Sequence, residues 1–176
     1  TTPRGVAGTR VVYSYGHALP SFLALVRPRG VVGNSVGIVG RGFSTASSVE
    51  FNGTPASFHV VSNTFLTATV PSGETGFVRV NMSSGPLITN TVYYVTPQQT
   101  SFSPASGAVG STVTITGAGL IQAEAITVGG KTVNSFIVTA DTTVSFRVPA
   151  GAVTGNIIVT TPGGKAVSQT EFTVTP

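Results

Sequence analysis

The 176-residue chain has no cysteine and no tryptophan, and only 8% of its residues are charged. The absence of cysteine excludes disulfide bonds, a thiol nucleophile and cysteine-ligated zinc. The low charge argues against long surface helices, which are built mainly from Glu, Lys, Arg and Ala. No apolar run approaches the roughly 18 residues that a membrane-spanning helix needs, so we expect no membrane insertion.

Side chains able to do chemistry are also scarce. The histidines and acids of the chain are His17, His59, Glu50, Glu74, Glu124, Asp141 and Glu171. Glycoside hydrolysis needs two acids that converge across a cleft, whereas Glu50 and His59 each lie between inward-facing residues of a strand and should face solvent. Calcium sites need several carboxylate oxygens, and Asp141 belongs to no acidic cluster. We therefore predict no enzymatic activity, no metal site and no cofactor.

The chain is instead rich in glycine, with 22 residues, and it repeats itself. The segment from Gly30 reads GVVGNSVGIVGRGF, and the segment from Gly107, 77 positions later, reads GAVGSTVTITGAGL. After two insertions in turn-like stretches, Tyr93 matches Phe172 at an offset of 79. A repeat of this length predicts two copies of one small domain in tandem.

Each copy consists of short alternating segments separated by turns. In the second copy, residues 112–116 alternate with period two, and residues 125–128 lead into Gly129-Gly130, a hairpin signal that Asn52-Gly53 supplies in the first copy. Six or seven such strands per copy predict an all-β protein of two tandem immunoglobulin-like β-sandwich domains, preceded by an extra N-terminal strand. The predicted boundaries are 1–19 for that strand segment, 20–97 for the first domain and 98–176 for the second.

The same alternation predicts which side chains fill the two cores. In the first domain these are Val36, Ile38, Val49, Phe51, Phe58, Val60, Leu66, Val70, Val80, Tyr93 and Val95. In the second they are Val113, Ile115, Ile126, Val128, Phe136, Val138, Val144, Phe146, Val148, Val159, Phe172 and Val174. Full burial of each contributes about 1.5 to 3 kcal/mol, which suffices for a small domain without disulfides.

The second copy resembles the IPT/TIG family of immunoglobulin-like domains. The motifs that carry the resemblance are Phe102-Ser103-Pro104 with Gly107 and Gly110, the strand from Val113 to Gly119, Val148-Pro149 before Gly155, and Gly163-Gly164 before Phe172-Thr173-Val174. The first copy matches more loosely, since Arg27-Pro28-Arg29 distorts its opening. The resemblance implies the fold and a tandem setting of the bacterial cell-surface type. Because such domains also occur in extracellular receptors, beside polysaccharide-degrading enzymes and in transcription factors, it leaves the function open.

Residues 5–15 align without gaps with residues 85–95, the last strand of the first copy. One interpretation is that the chain was cut from a longer array and carries a remnant of the preceding repeat. The other is that this strand adds to a sheet of a neighbouring molecule, because an unpaired apolar strand needs a partner. The candidate intermolecular strand is Val11, Val12, Tyr13, Ser14 and Tyr15.

Net charge is confined to the first half of the chain. Residues 1–97 hold six basic residues and two acids, a balance of +4, while residues 98–176 hold three of each. We expect Arg27, Arg29 and Arg41 to cluster at one end of the first domain as a basic contact patch. Such a patch attracts an acidic glycan or an acidic protein face, or it only keeps the surface soluble. Nucleic acid is disfavoured, because DNA-binding loops carry denser Lys and Arg.

These observations favour a non-catalytic, extracellular structural or adhesive module. The linker 96–100 contains proline and no glycine, so the two domains should swing little. The expected partners are a neighbouring repeat or an identical subunit, and possible ligands include a surface glycan. The alternatives are a pilus-like filament subunit joined through the N-terminal strand, and a carbohydrate-binding accessory domain of a secreted glycanase. The absence of tryptophan counts against the last.

Overall fold

The computed structural model describes residues 23–176, which form strands and one short 3-10 helix. The first domain contains Ala24–Leu25 (β1), Arg29–Gly30 (β2), Ser35–Val39 (β3), the 3-10 helix Phe43–Thr45, Ala46–Phe51 (β4), Thr54–Ala56 (β5), Phe58–Ser62 (β6), Phe65–Thr69 (β7), Val78–Met82 (β8), Leu87–Ile88 (β9) and Tyr94–Val95 (β10). The second contains Gln98–Ser103 (β11), Ser106–Gly107 (β12), Thr112–Ala118 (β13), Ala125–Val128 (β14), Lys131–Thr132 (β15), Phe136–Ala140 (β16), Thr143–Arg147 (β17), Gly155–Thr161 (β18) and Gly164–Val174 (β19).

Two sheets enclose the core of each domain. In the first domain the sheets have the strand orders β1-β3-β7-β6 and β5-β4-β8-β9, and in the second β11-β13-β17-β16 and β12-β19-β18-β14-β15. Side chains from both sheets of a domain meet in one buried cluster, and each domain has its own. The all-β, tandem immunoglobulin-like fold predicted from the sequence is thus confirmed.

A parallel strand pair closes each sandwich. In the first domain β2 runs parallel to β10, with Tyr94 beside Arg29, and in the second β12 runs parallel to β19, with Thr173 beside Ser106. The bonds of the first pair run from Tyr94 N to Pro28 O at 2.8 Å and from Thr96 N to Gly30 O at 2.9 Å. These pairs join the beginning of each domain to its end.

The two predicted hairpin turns have the backbone geometry that their sequences favour. Asn52 and Gly53 have φ of 47° and 85°, and Gly129 and Gly130 have φ of 53° and 81°. Two successive positive φ values define the two-residue turn whose twist matches that of paired strands. Turn chemistry therefore sets the register of β4 with β5 and of β14 with β15.

All the predicted core residues pack in the two clusters. Most are fully buried, and Phe58, Val60, Phe136, Val138 and Val174 are half-buried against the others. The pattern missed Val78 on β8 and Ile157 on β18, and it also missed Phe43 and Leu120; none of the four has exposed surface. Phe43 and Leu120 occupy equivalent places, each directly after a Gly-x-Gly sequence and outside any strand, so period-two alternation could not find them.

The segment 1–19, including the candidate intermolecular strand Val11, Val12, Tyr13, Ser14 and Tyr15, lies outside the described residues. Its role as a remnant or as an added strand stays a prediction. In the described part, each domain opens with two strands separated by a break, β1 and β2 in the first and β11 and β12 in the second. A proline lies in each break, Pro28 and Pro104, and proline lacks the N–H that a continuous strand would use.

Candidate functional site

The acids and the histidine considered for catalysis lie on strand surfaces and loops. Glu50 Oε1 accepts a hydrogen bond from Asn81 Nδ2 at 2.9 Å, and Glu74 Oε2 accepts one from Asn52 Nδ2 at 3.0 Å. His59 is exposed on the edge strand β6. Among residues 23–176, no three His, Cys, Asp or Glu side chains lie close enough together to hold a metal ion. Residues 23–176 also contain no helix that is long and apolar enough to cross a bilayer.

A cleft of about 210 Å³ opens where the first domain begins. Its lining comprises Val26, Arg27, Arg29, Gly30, Asn34, Ser35, Val36, Gly37 and Tyr93. The interruption of the opening strand at Pro28 places both arginines here, and both side chains are exposed. No acidic residue lines the cleft, so its electrostatic character is positive.

Tyr93 supplies the deepest polar group of this cleft. The residue is 2% exposed, and its ring packs edge-on against Phe51 with centroids 5.0 Å apart. Among the described residues its hydroxyl has no hydrogen-bond partner, and Gly30, which has no side chain, lies directly over it. The hydroxyl is protonated and acts as a donor at ordinary pH, and burial raises its pKa further, from 10.0 to about 12.

The three arginines of the predicted basic patch do not all lie in one place. Arg27 and Arg29 border the cleft, and the guanidinium carbon of Arg29 lies 5.8 Å from the centre of the Tyr94 ring, within cation–π range. Arg41 follows the opposite end of β3 and is not among the residues of the cleft. The antiparallel pairing explains the separation, because Val26 faces Gly37 while Ala24 faces Val39.

The second domain has a matching parallel strand pair here but different chemistry. Phe172 replaces Tyr93, and Pro104 and Ser106 replace Arg27 and Arg29. A Cβ on the equivalent Gly107 would meet Ser111 Oγ, which donates to Ala108 O at 2.7 Å. The hydroxyl and the two cations are therefore a property of the first domain alone.

A second cluster of polar contacts holds the two domains together. Ser72 of the first domain donates a hydrogen bond to the carboxylate of Asp141 in the second, and Thr75 N donates to Gln122 Oε1 at 2.9 Å. The same carboxylate accepts from Gly119 N at 3.1 Å and Ile121 N at 3.3 Å. Asp141 thus fixes a loop of its own domain and at the same time contacts the neighbouring domain.

Two glycines let the backbones of the domains approach each other closely. A Cβ on Gly163 would overlap the carbonyl oxygen of Val95, and one on Gly119 would lie 3.3 Å from the carbonyl oxygen of Thr96. Val95 N in turn donates to Thr75 Oγ1 at 3.0 Å. The turn of Gly163 therefore packs directly on the last strand of the first domain. We name Ser72, Thr75, Gln122, Asp141 and Gly163 the junction.

The sequence predicted limited swing from the linker but not the residues of the junction. Gln122 and Asp141 lie in loops, and no local pattern links either of them to residues about 50 to 70 positions earlier in the chain. The Tyr93 hydroxyl could have been found from the sequence, because comparison of the two repeats shows Tyr93 where the second copy has Phe172. The arginines were found from charge alone.

Comparisons with known proteins agree with this architecture. The IPT/TIG domain matches residues 20–96 and again residues 97–174. A surface glycan-binding protein of Prevotella bryantii, PbSGBP-B, is 20% identical with a TM-score of 0.54 over 82% of this chain and 38% of its own. An SGBP-B from a xyloglucan utilization locus of Bacteroides uniformis is 22% identical with a TM-score of 0.44, over 87% of this chain and 48% of its own. The chain thus spans less than half the length of these structures.

At such identities the likeness to PbSGBP-B extends to the fold and no further. A search of curated proteins gave no match. The two family matches, by contrast, cover most of the chain and agree with the two sandwiches and the internal repeat. The chain belongs to the IPT/TIG domain family and contains two such domains in tandem.

Proposed function

We propose that the chain is a non-catalytic, extracellular structural module that acts as a stiff two-domain spacer with adhesive surfaces. The observation that carries the proposal is the junction. Thr75 N–H reaches Gln122, Ser72 reaches Asp141, and Gly163 seats the second domain on Val95 of the first. Because these contacts come from several loops, they restrain both bending and twisting of one domain relative to the other. A linker alone does not restrain both motions.

The chemistry of the described surface supports a structural role. In the first domain, the carboxylates of Glu50 and Glu74 accept hydrogen bonds from asparagine side chains. The acids of the second domain lie on loops and strand surfaces. A pair of general acid and base groups would need to converge at a cleft. The low charge and the many hydroxyl side chains suit an exported surface protein, and PbSGBP-B, which shares the fold, is a surface protein.

Residual dipolar couplings measured by NMR test the spacer directly. If the junction holds, couplings from both domains of the wild type fit a single alignment tensor. Replacing Ser72 and Gln122 together by Ala removes the two polar side chains and should give each domain its own tensor. The matched control replaces Ser57 and Gln169, which are exposed and away from the junction, and should leave one tensor. Separate tensors in the wild type would refute a stiff spacer.

A further inference from the structure

We propose that the cleft formed by Arg27, Arg29 and Tyr93 binds the acidic group of a saccharide, a carboxylate or sulfate carried on a sugar ring. This role goes beyond that of a spacer, because it gives the first domain a ligand that the second does not bind. It uses no residue of the junction.

The rim of the cleft supplies the charge that an anion needs. Arg27 and Arg29 lie on either side of Pro28 in the short opening segment. The proline ring fixes the φ angle between them. Arg29 is further oriented by its position over the Tyr94 ring. Planar guanidinium groups recognise carboxylate and sulfate oxygens through paired N–H donors.

The floor of the cleft supplies a fixed donor. Tyr93 is almost fully buried, its ring is held by Phe51, and its hydroxyl lines the cleft with no partner among the described residues. The hydroxyl is not among the buried side-chain atoms that lack a partner, so it is accessible from the cleft, where an incoming acceptor oxygen takes the place of water. A tyrosine hydroxyl keeps its proton at ordinary pH, so it donates to an anion and does not repel it.

The size of the cleft and its uncharged groups favour a sugar over an acidic peptide. Its volume of about 210 Å³ is below the roughly 300 to 1,000 Å³ of sites that enclose a whole drug-sized ligand. It therefore accepts one unit of a larger molecule. Asn34 and Ser35 add amide and hydroxyl groups to the lining. A uronic or sulfated sugar offers hydroxyls for these groups beside its anion, whereas the Asp or Glu side chain has no polar atom besides its carboxylate.

The second domain provides a natural comparison. Phe172, Pro104 and Ser106 stand where Tyr93, Arg27 and Arg29 stand in the first domain. The fold is the same, and the hydroxyl and both guanidinium groups assigned to the ligand are missing. Because Phe fits this core position in the second domain, Tyr93→Phe removes the donor with little risk to folding.

Isothermal titration calorimetry on the full chain tests the proposal with defined probes. These are an oligogalacturonate for the carboxylate, a heparin tetrasaccharide for the sulfate, a neutral galacto-oligosaccharide and hexaglutamate. We expect one or both acidic saccharides to bind, and which one binds identifies the anion. Tyr93→Phe and Arg29→Gln should each weaken that binding about tenfold or more, the usual effect of losing a hydrogen bond to a charged group.

Arg41→Gln is the matched control, since it removes the same charge from the same domain away from the cleft. It should change the affinity less than twofold. Equal losses for Arg41→Gln and Arg29→Gln would show diffuse electrostatics and overturn the site. The proposal also fails if hexaglutamate or the neutral saccharide binds as tightly as the acidic ones, if neither acidic saccharide binds, or if Tyr93→Phe binds like the wild type while its NMR spectrum shows a folded chain.

Discussion

The Tyr93 hydroxyl occupies the space that a Cβ atom on Gly30 would need. The backbone of Gly30 does not have a positive φ, so this glycine serves close approach and not an unusual backbone conformation. It lets β2 lie over the core tyrosine and pair with β10. The absence of a side chain at Gly30 thus allows the opening strand to contact both the core and the cleft.

A double-mutant cycle at these two positions measures that relationship. Gly30→Ala in the wild type should lower the free energy of unfolding by about 1 to 3 kcal/mol, the range typical of overpacking. In a Tyr93→Phe background the next atom, Cζ, would lie at 3.7 Å, an ordinary contact. There the same substitution should cost almost nothing. Urea denaturation of the four proteins gives the coupling, and equal costs in both backgrounds would contradict the contact.

The pKa of Tyr93 predicts how stability depends on pH. Burial raises this pKa from 10.0 to about 12, so the folded state keeps its proton after the unfolded state has lost it. Its contribution to stability is therefore complete below pH 10 and is lost as pH rises from 10 towards 12, with a slope of about 1.4 kcal/mol per pH unit. Denaturation of wild type and Tyr93→Phe at pH 9 to 12 isolates it. The wild type should lose stability relative to Tyr93→Phe as pH rises through this range, and parallel profiles would disprove the shift.

Neighbouring glycines in one turn offer a matched pair of substitutions. Gly129 and Gly130 both have positive φ, so alanine at either site should cost about 1 kcal/mol of backbone strain. A Cβ on Gly129 would also overlap the carbonyl oxygen of Val153, whereas one on Gly130 would meet nothing within 4 Å. Gly129→Ala should therefore destabilise the second domain by about 1 to 3 kcal/mol more than Gly130→Ala. Thermal unfolding of the two variants compares them, and equal losses would be inconsistent with this contact.

Gln99 carries a buried amide that the fold does not use. The residue is 7% exposed, and neither its Nε2 nor its Oε1 has a hydrogen-bond partner among the described residues. Replacing a buried group without partners by an apolar one of similar shape removes a desolvation cost. Gln99→Met should raise the free energy of unfolding by about 1 to 2 kcal/mol, whereas Gln98→Met at the exposed neighbour should change it little. A loss of stability in Gln99→Met would indicate that the amide is satisfied in solution.

Most of the fold could be predicted from local patterns in the sequence. Alternation identified the core strands, because a side chain on a strand faces in or out by its parity. Asn52-Gly53 and Gly129-Gly130 located the hairpins, because few residues adopt two positive φ values in succession. Phe43 and Leu120 were missed because they lie outside the strands, where buried side chains do not follow a period of two.

The surface was predictable only in part. Charge identified Arg27 and Arg29, but grouping Arg41 with them required the register of β1 on β3, which composition does not contain. The bond between Gln122 and the backbone of Thr75 depends on the arrangement of two domains. Contacts of this kind follow from tertiary structure, so no reading of adjacent residues reveals them.

The parallel pairs β2–β10 and β12–β19 determine how the array would respond to a pull on its ends. Tension enters a domain near its first strand and leaves near its last, so it slides the paired strands along each other. The bonds Tyr94 N to Pro28 O and Thr96 N to Gly30 O then share the load and must rupture together, as must Thr173 N to Ala105 O and Thr175 N to Gly107 O. An arrangement that opened one bond after another would yield at lower force.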